Sequence, residues 1–189
     1  MNWITQNFTE HQQTTALVAE QCADDIAAIG QIMVQVLRQG GAIYWCGNGG
    51  SAADSQHLAA ELVGRFKGNR RALRSAALST DSSVLTCVAN DYSFDAIFAR
   101  QIEALGRPGD LLIGISTSGN SGNVLCALQA AKALGLHTVG LLGKDGGKAK
   151  ALVDHAIVIP SATTARIQEA HILIGHCFCD LIEDGLGIA

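Results

Sequence analysis

Proline is nearly missing from this sequence, with 2 residues, while glycine reaches 21 in a chain of 189. That balance excludes a Pro-rich or low-complexity linker and suits tight turns between strands and helices. Positive charge is also scarce. The 13 Lys and Arg face 17 Asp and Glu, for a net charge of -4. A protein held by nucleic-acid phosphates needs a basic face, so no nucleic-acid partner is expected. The one basic cluster, Lys67, Arg70, Arg71 and Arg74, is expected to be solvent-exposed on a loop. No apolar run is long enough to span a bilayer. The segment from Met1 to Glu10 is polar and lacks the apolar stretch of a secretion signal. The expectation is a cytoplasmic protein with no membrane partner. Six cysteines (Cys22, Cys46, Cys87, Cys126, Cys177, Cys179) contain no Cys-x-x-Cys pair. They are expected to act as small buried hydrophobes in a reducing compartment.

What is present is an alternation of patterns. Apolar residues recur at helical spacing from about 8 to 38, with Gly30 expected to kink or split that helix and Gly40-Gly41 to end it. Short apolar runs then alternate with helical stretches. Strands are predicted at 42–46, 75–78, 111–115, 137–142 and 155–159. Helices are predicted at 51–66, 82–89, 94–105, 122–134 and 163–185. Strands alternating with helices imply an α/β three-layer sandwich, a five-stranded parallel sheet flanked by helices. One domain is expected over 1–189, with a helical segment at 1–40 packed on an α/β core at 41–189.

Ligands of open parallel sheets bind at the carboxyl ends of the strands. Two loops there stand out: Cys46-Gly47-Asn48-Gly49-Gly50-Ser51 and Ser116-Thr117-Ser118-Gly119-Asn120-Ser121. Each follows a strand and opens a helix. A helix N-terminus offers unpaired N–H groups and the positive end of its dipole. Glycines allow close approach, and Ser51, Ser116, Thr117, Ser118 and Ser121 add hydroxyl donors. Neither loop contains a lysine, so a small phosphate ester fits better than a nucleoside triphosphate. Gly47-x-Gly49-x-x-Ala52 also matches a dinucleotide fingerprint. The acidic residue that pattern needs, Asp81, comes late.

Polar groups also gather on two helices. His57 and Glu61 lie four apart on one face. The last helix carries Gln168, Glu169, His171 and His176, with Gln168 and His176 two turns apart. Such a set can bind a divalent metal with N and O ligands or move protons. Arg166 and Glu169 read as a local ion pair or cap. His11, His137 and His155 carry no evident function.

The two strand-loop-helix units and the ending Arg166-Ile167-Gln168-Glu169-x-His171 resemble sugar isomerase (SIS) domains. Over nearly the whole chain, the resemblance is greatest to bacterial phosphoheptose isomerases. It implies conversion of sedoheptulose 7-phosphate to D-glycero-D-manno-heptose 7-phosphate through an enediol, the start of the ADP-heptose route to the lipopolysaccharide core. It implies a homotetramer with Zn2+, one per subunit, held by His57, Glu61, Gln168 and His176. Substrate contacts are implied for Asn48, Gly49, Gly50, Ser51, Glu61, Asn90, Asp91, Ser116, Thr117, Ser118, Ser121 and Gln168. Glu61 and His176 are the expected acid/base pair. Some family members carry Asp where this chain has Ala165, so any role of that carboxylate is absent or filled by another group. The Ala-Arg-Ile-Gln-Glu and Cys-x-Cys-Asp-Leu-Ile segments also resemble a relative that binds the bacterial replication initiator without catalysis. A phosphosugar-sensing module is a third reading. His176 and the two complete loops favour the enzyme.

Overall fold

The computed structural model of the chain describes residues 2–188. Its strands are β1 (Ile43–Gly47), β2 (Ser75–Ala77), β3 (Leu111–Ser116), β4 (His137–Gly143) and β5 (His155–Ile159). They form one sheet in the order β2-β1-β3-β4-β5, with every pair parallel. The α-helices among the described residues are α1 (Trp3–Arg38), α2 (Gly50–Val63), α3 (Ser82–Asp91), α4 (Ala99–Leu105), α5 (Gly122–Ala133) and α6 (Thr164–Leu186).

Alternation along the strands builds a core on each side of the sheet. Ile43 and Trp45 of β1 point toward α1, α2 and α6, where Met33, Leu58, Leu62 and Phe178 complete one cluster. Tyr44 and Cys46 point the other way, toward Phe98, Ile102, Val124 and Leu128 of the α4–α5 face. Each fully buried large side chain contributes about 1.5–3 kcal/mol, so the continuous apolar strands can sustain both layers.

Several expectations need correction. α1 is one unbroken helix beginning at Trp3, with Asn2 capping the Ile4 amide at 3.1 Å. Gly30 does not split it. A Cβ there would come within 2.5 Å of Leu181 Cδ1, so this glycine lets α1 and α6 close together. The segment expected as a helix at 94–105 is a 3-10 turn, Phe94–Ala96, followed by α4. The cysteines divide: Cys22, Cys46 and Cys179 are buried, but Cys87 is exposed. The basic cluster is not all surface. The Arg70 side chain is 1% exposed and bonds Glu183 on α6, itself 2% exposed, at 2.8 Å. A loop position gave no hint of that partner, which lies 113 residues away in sequence.

Candidate active site

The chain goes from β1 out to β2, then returns across β1 to β3. Strand order therefore reverses between β1 and β3, which opens a crevice at their carboxyl ends. Both unusual loops border it. After β1, Gly49 adopts φ +56, a left-handed conformation in which side chains are strained, and α2 starts at the next residue. At Gly50 the Gln168 side chain fills the space a Cβ would need. After β3, the Gly119 amide donates to Ser116 Oγ at 3.1 Å. The Ser116 and Ser121 hydroxyls pair at 3.1 Å. Ser118 Oγ accepts the Asn120 amide at 3.2 Å. The N-caps of α2 and α5, Gly49 and Ser121, make no side-chain bond to a helix amide. In α2 the Ser51 and Ala52 amides turn back onto the Asn48 and Gly49 carbonyls at 3.0 and 3.1 Å, so the open N–H groups for an anion lie chiefly in the first turn of α5.

The two loops are joined. Asn48 and Asn123 exchange amide hydrogen bonds, both 2.8 Å. Behind the second loop, the Lys148 amide donates to Asn120 Oδ1 at 3.1 Å and the Ala149 amide to the Gly119 carbonyl at 2.9 Å. The hydroxyl-rich edge is thus fixed by the protein itself. Asn123 was not singled out from the sequence, because an Asn at a helix start reads as an ordinary capping residue.

Helices α2 and α6 each follow a parallel strand and run side by side in the same direction. Gly50 meets Gln168 near their starts, and Leu58 meets Gly175 further along. This alignment brings His57, Glu61 and His176 together. His57 Nε2 lies 3.2 Å from Glu61 Oε1 and 3.0 Å from His176 Nε2. One ligand atom from each residue lies within 4.8 Å of the other two. The two imidazoles meet edge to face at 5.1 Å between centroids, and Phe66 stacks on His176 at 5.6 Å and 18°. Two imidazole nitrogens and a carboxylate oxygen converging this closely form an N2O donor set that suits zinc.

Gln168 makes its side-chain hydrogen bond outside this trio. Its amide donates to Asp54 Oδ2 at 3.4 Å, one turn nearer the start of α2. Asp54 is buried. Burial raises its carboxyl above the usual range, opposed by the Gln168 bond and by His57. Sequence reading missed Asp54, although its spacing of three and seven from His57 and Glu61 places it on their face. His171 turns away from the cluster. It is fully buried against the end of β4, with Nε2 3.1 Å from the Leu142 carbonyl, and burial lowers its pKa to about 4 despite that bond. Glu169 faces α1, where His11 Nδ1 approaches Oε2 at 2.8 Å. Arg166 pairs with Glu169 and also donates to the Asn7 carbonyl at 2.7 Å. Burial would raise the Glu169 carboxyl, but Arg166 and His11 hold it below its ordinary range. His11 is thus part of an interhelical network that the sequence did not reveal. Asn90 and Asp91 end α3 in exposed positions. They bond each other at 2.8 Å, and Asp91 accepts from Cys87 at 3.5 Å. Among the described residues neither makes a side-chain hydrogen bond to the two loops. Asp81 caps α3 by accepting the Val84 amide at 3.0 Å, a duty that accounts for its place after β2.

The SIS domain family profile matches residues 7–143. The phosphoheptose isomerase of a Nitratiruptor species is 55% identical over 181 residues, covering 96% of this chain and 97% of that one. Among solved structures, the phosphoheptose isomerase of Neisseria gonorrhoeae superimposes with a TM-score of 0.92 at 43% identity, covering 96% and 97% of the two chains. That of Francisella tularensis gives 0.94 at 36% identity, covering 97% of both. The relatives at these identities are isomerases, which favours the enzyme over the initiator-binding and sensing readings. The chain belongs to the phosphoheptose isomerase family of SIS-domain proteins.

Proposed function

We propose that the chain converts sedoheptulose 7-phosphate to D-glycero-D-manno-heptose 7-phosphate through an enediol, as the first step toward ADP-heptose and the lipopolysaccharide core. One observation carries this reading: a carboxylate and two imidazoles, from separate helices, converge within 4.8 Å beside a crevice edged with hydroxyls and the open first turn of α5.

The phosphate is assigned to Ser51, Ser116, Thr117, Ser118 and Ser121 with the amides that open α2 and α5. Asn48, Gly49 and Gly50 contact the sugar, as do Gln168, Asn90 and Asp91. Isomerisation removes a proton from C1 and returns one to C2, while another moves between the two oxygens. Glu61 is assigned one of these transfers and His176 the other, since a carboxylate and an imidazole can alternate as base and acid. His57, Glu61 and His176, with Gln168 as fourth ligand, would hold one Zn2+ per subunit. When bound, that ion supplies a Lewis acid that polarises the carbonyl.

The whole of 1–189 is proposed to act as one domain within a cytoplasmic homotetramer. Trp3 is 71% and Phe8 67% exposed on α1. Further along that helix, an apolar groove of about 470 Å³ runs between α1 and α6, lined by Val18, Ala23, Ile26, Ile174 and Leu181. Apolar surface of this kind marks contact with another protein surface, here further copies of the chain.

The test incubates purified protein with sedoheptulose 7-phosphate and follows formation of an aldoheptose 7-phosphate. Elemental analysis is run in parallel. The expected result is turnover, bound zinc, and loss of turnover on chelation. Zinc-replete protein that leaves the ketose unchanged would end this reading.

A further inference from the structure

We infer that the buried Arg70–Glu183 pair is a positioning device for the His57/Glu61/His176 cluster and acts through Phe66. The inference rests on the function proposed above for its kinetic arm only.

Helix α2 ends at Val63, so its last carbonyls lack helical partners. Arg70 reaches back to satisfy two of them. Its Nη2 donates to the Glu61 carbonyl at 2.7 Å and its Nη1 to the Leu62 carbonyl at 2.9 Å. Its Nε donates to Glu183 Oε1 at 2.8 Å. The same Glu183 carboxylate accepts three consecutive backbone amides, Phe66 at 3.2 Å, Lys67 at 3.0 Å and Gly68 at 2.9 Å. One ion pair therefore ties the end of α2, the following loop and α6 together. Burial would raise the Glu183 carboxyl, yet these amides and Arg70 hold it down at about 2, so it stays ionised as an anchor.

The anchored loop leads to the cluster. Phe66 is fixed through its own amide, and its ring lies nearly flat on His176, 18° between planes. His176 and Glu183 are seven residues apart, two turns along one face of α6. At the other end, Arg70 grips the carbonyl of Glu61 itself. The pair thus touches the backbone of one cluster member and sets the ring that covers another. A fully buried ion pair is an expensive way to obtain stability alone, because apolar side chains of similar volume often stabilise as well or better. What it supplies that an apolar pair cannot is a fork of donors and three acceptor bonds, which fix where the loop stands.

The experiment compares Phe66→Leu, Glu183→Gln and the apolar double variant Arg70→Met/Glu183→Leu with the parent protein. The first readout is NMR of the His176 ring protons, which the stacked Phe66 shifts upfield. Phe66→Leu should abolish that shift, and Glu183→Gln should remove most of it at a temperature where the variant remains folded. If Glu183→Gln fails to fold, the double variant carries the same test. The second readout is kinetic. Both kinds of variant should lower kcat by roughly ten- to a hundredfold, the range for groups that support a site's ligands, with KM little changed. Phe66→Tyr should retain the stack and the rate. Combining Phe66→Leu with Glu183→Gln should cost little more than either alone. A His176 shift that survives loss of the ion pair, or kinetic losses that simply add, would overturn the inference. Loss of the ring shift without any sedoheptulose turnover in the parent protein would instead refute the proposed function and leave the positioning intact.

Discussion

At the carboxyl edge of β1 and β3 the chain presents backbone amides and short hydroxyls, whereas two to three turns along α2 and α6 it presents two imidazoles and a carboxylate on helix surfaces. The edge is fixed locally. Its groups follow directly from strand ends, and most bonds that hold the second loop span five residues or fewer, as between Ser116 and Ser121. The cluster is fixed at long range. His57 and His176 meet across 119 positions, and the loop that covers His176 is anchored by Glu183, some 115 positions further on. The edge is suited to gripping a constant feature such as a phosphate. The cluster sits where small shifts in helix packing would change its geometry. Damage to the edge should appear as weaker binding, and damage to the cluster as slower chemistry.

The largest expected effect comes from breaking the cluster side. Glu61→Gln keeps the shape and removes the basic oxygen, so kcat should fall roughly a hundred- to ten-thousand-fold. Competitive inhibition by inorganic phosphate should stay unchanged, because the loops assigned to the phosphate open α2 and α5, whereas Glu61 lies near the end of α2. Steady-state kinetics with both ligands checks this. Near-parental turnover would remove Glu61 from the chemistry.

A smaller, opposite effect should come from the edge. Asn123→Ala deletes half of the reciprocal amide pair and leaves Asn48 unsatisfied beside a buried position. Such a loss costs about 1–3 kcal/mol of stability, and the loosened loop should raise KM. With the cluster intact, kcat should hold. A variant with falling kcat and constant KM would show that the two regions are not separable in this way.

The same contrast explains what could be read from the sequence. The five-stranded parallel sheet was legible because β1 and β3 are short apolar runs, and β4 is mostly apolar, between helical stretches. The hydroxyl-rich edge was legible because its chemistry is contiguous in the chain. His57 with Glu61 was readable as an i, i+4 pair and Gln168 with His176 as a second set able to share a metal with it, while the zinc ligand assignment followed only as what a resemblance implied. Long-range partners left no local trace. Arg70 looked like surface charge because its carboxylate lies on the last helix, and His11 looked idle because Glu169 lies 158 positions away. Gly30 looked like a helix breaker because nothing local shows that Leu181 needs the space. Asp54 and Asn123 were within reach: one shares a face with two residues already chosen, and the other opens the helix after a chosen loop.

The smallest expected effect tests the part of the edge that borrows a dinucleotide-like glycine pattern. If that pattern reflected cofactor binding, Asp81 would be the acidic residue on a ribose hydroxyl, and its removal would alter ligand affinity. In the structure its carboxylate instead accepts the Val84 amide at 3.0 Å as the N-cap of α3. Asp81→Ala should therefore cost about 1 kcal/mol of stability, as loss of a helix cap does. For a chain of this length that corresponds to a fall in Tm of roughly 2–4 °C. Both kcat and KM for the sugar phosphate should match the parent at about 25 °C, where the variant remains folded. A change in KM without a change in Tm would move Asp81 from helix cap to ligand contact, and would extend the binding edge beyond β1 and β3 to β2.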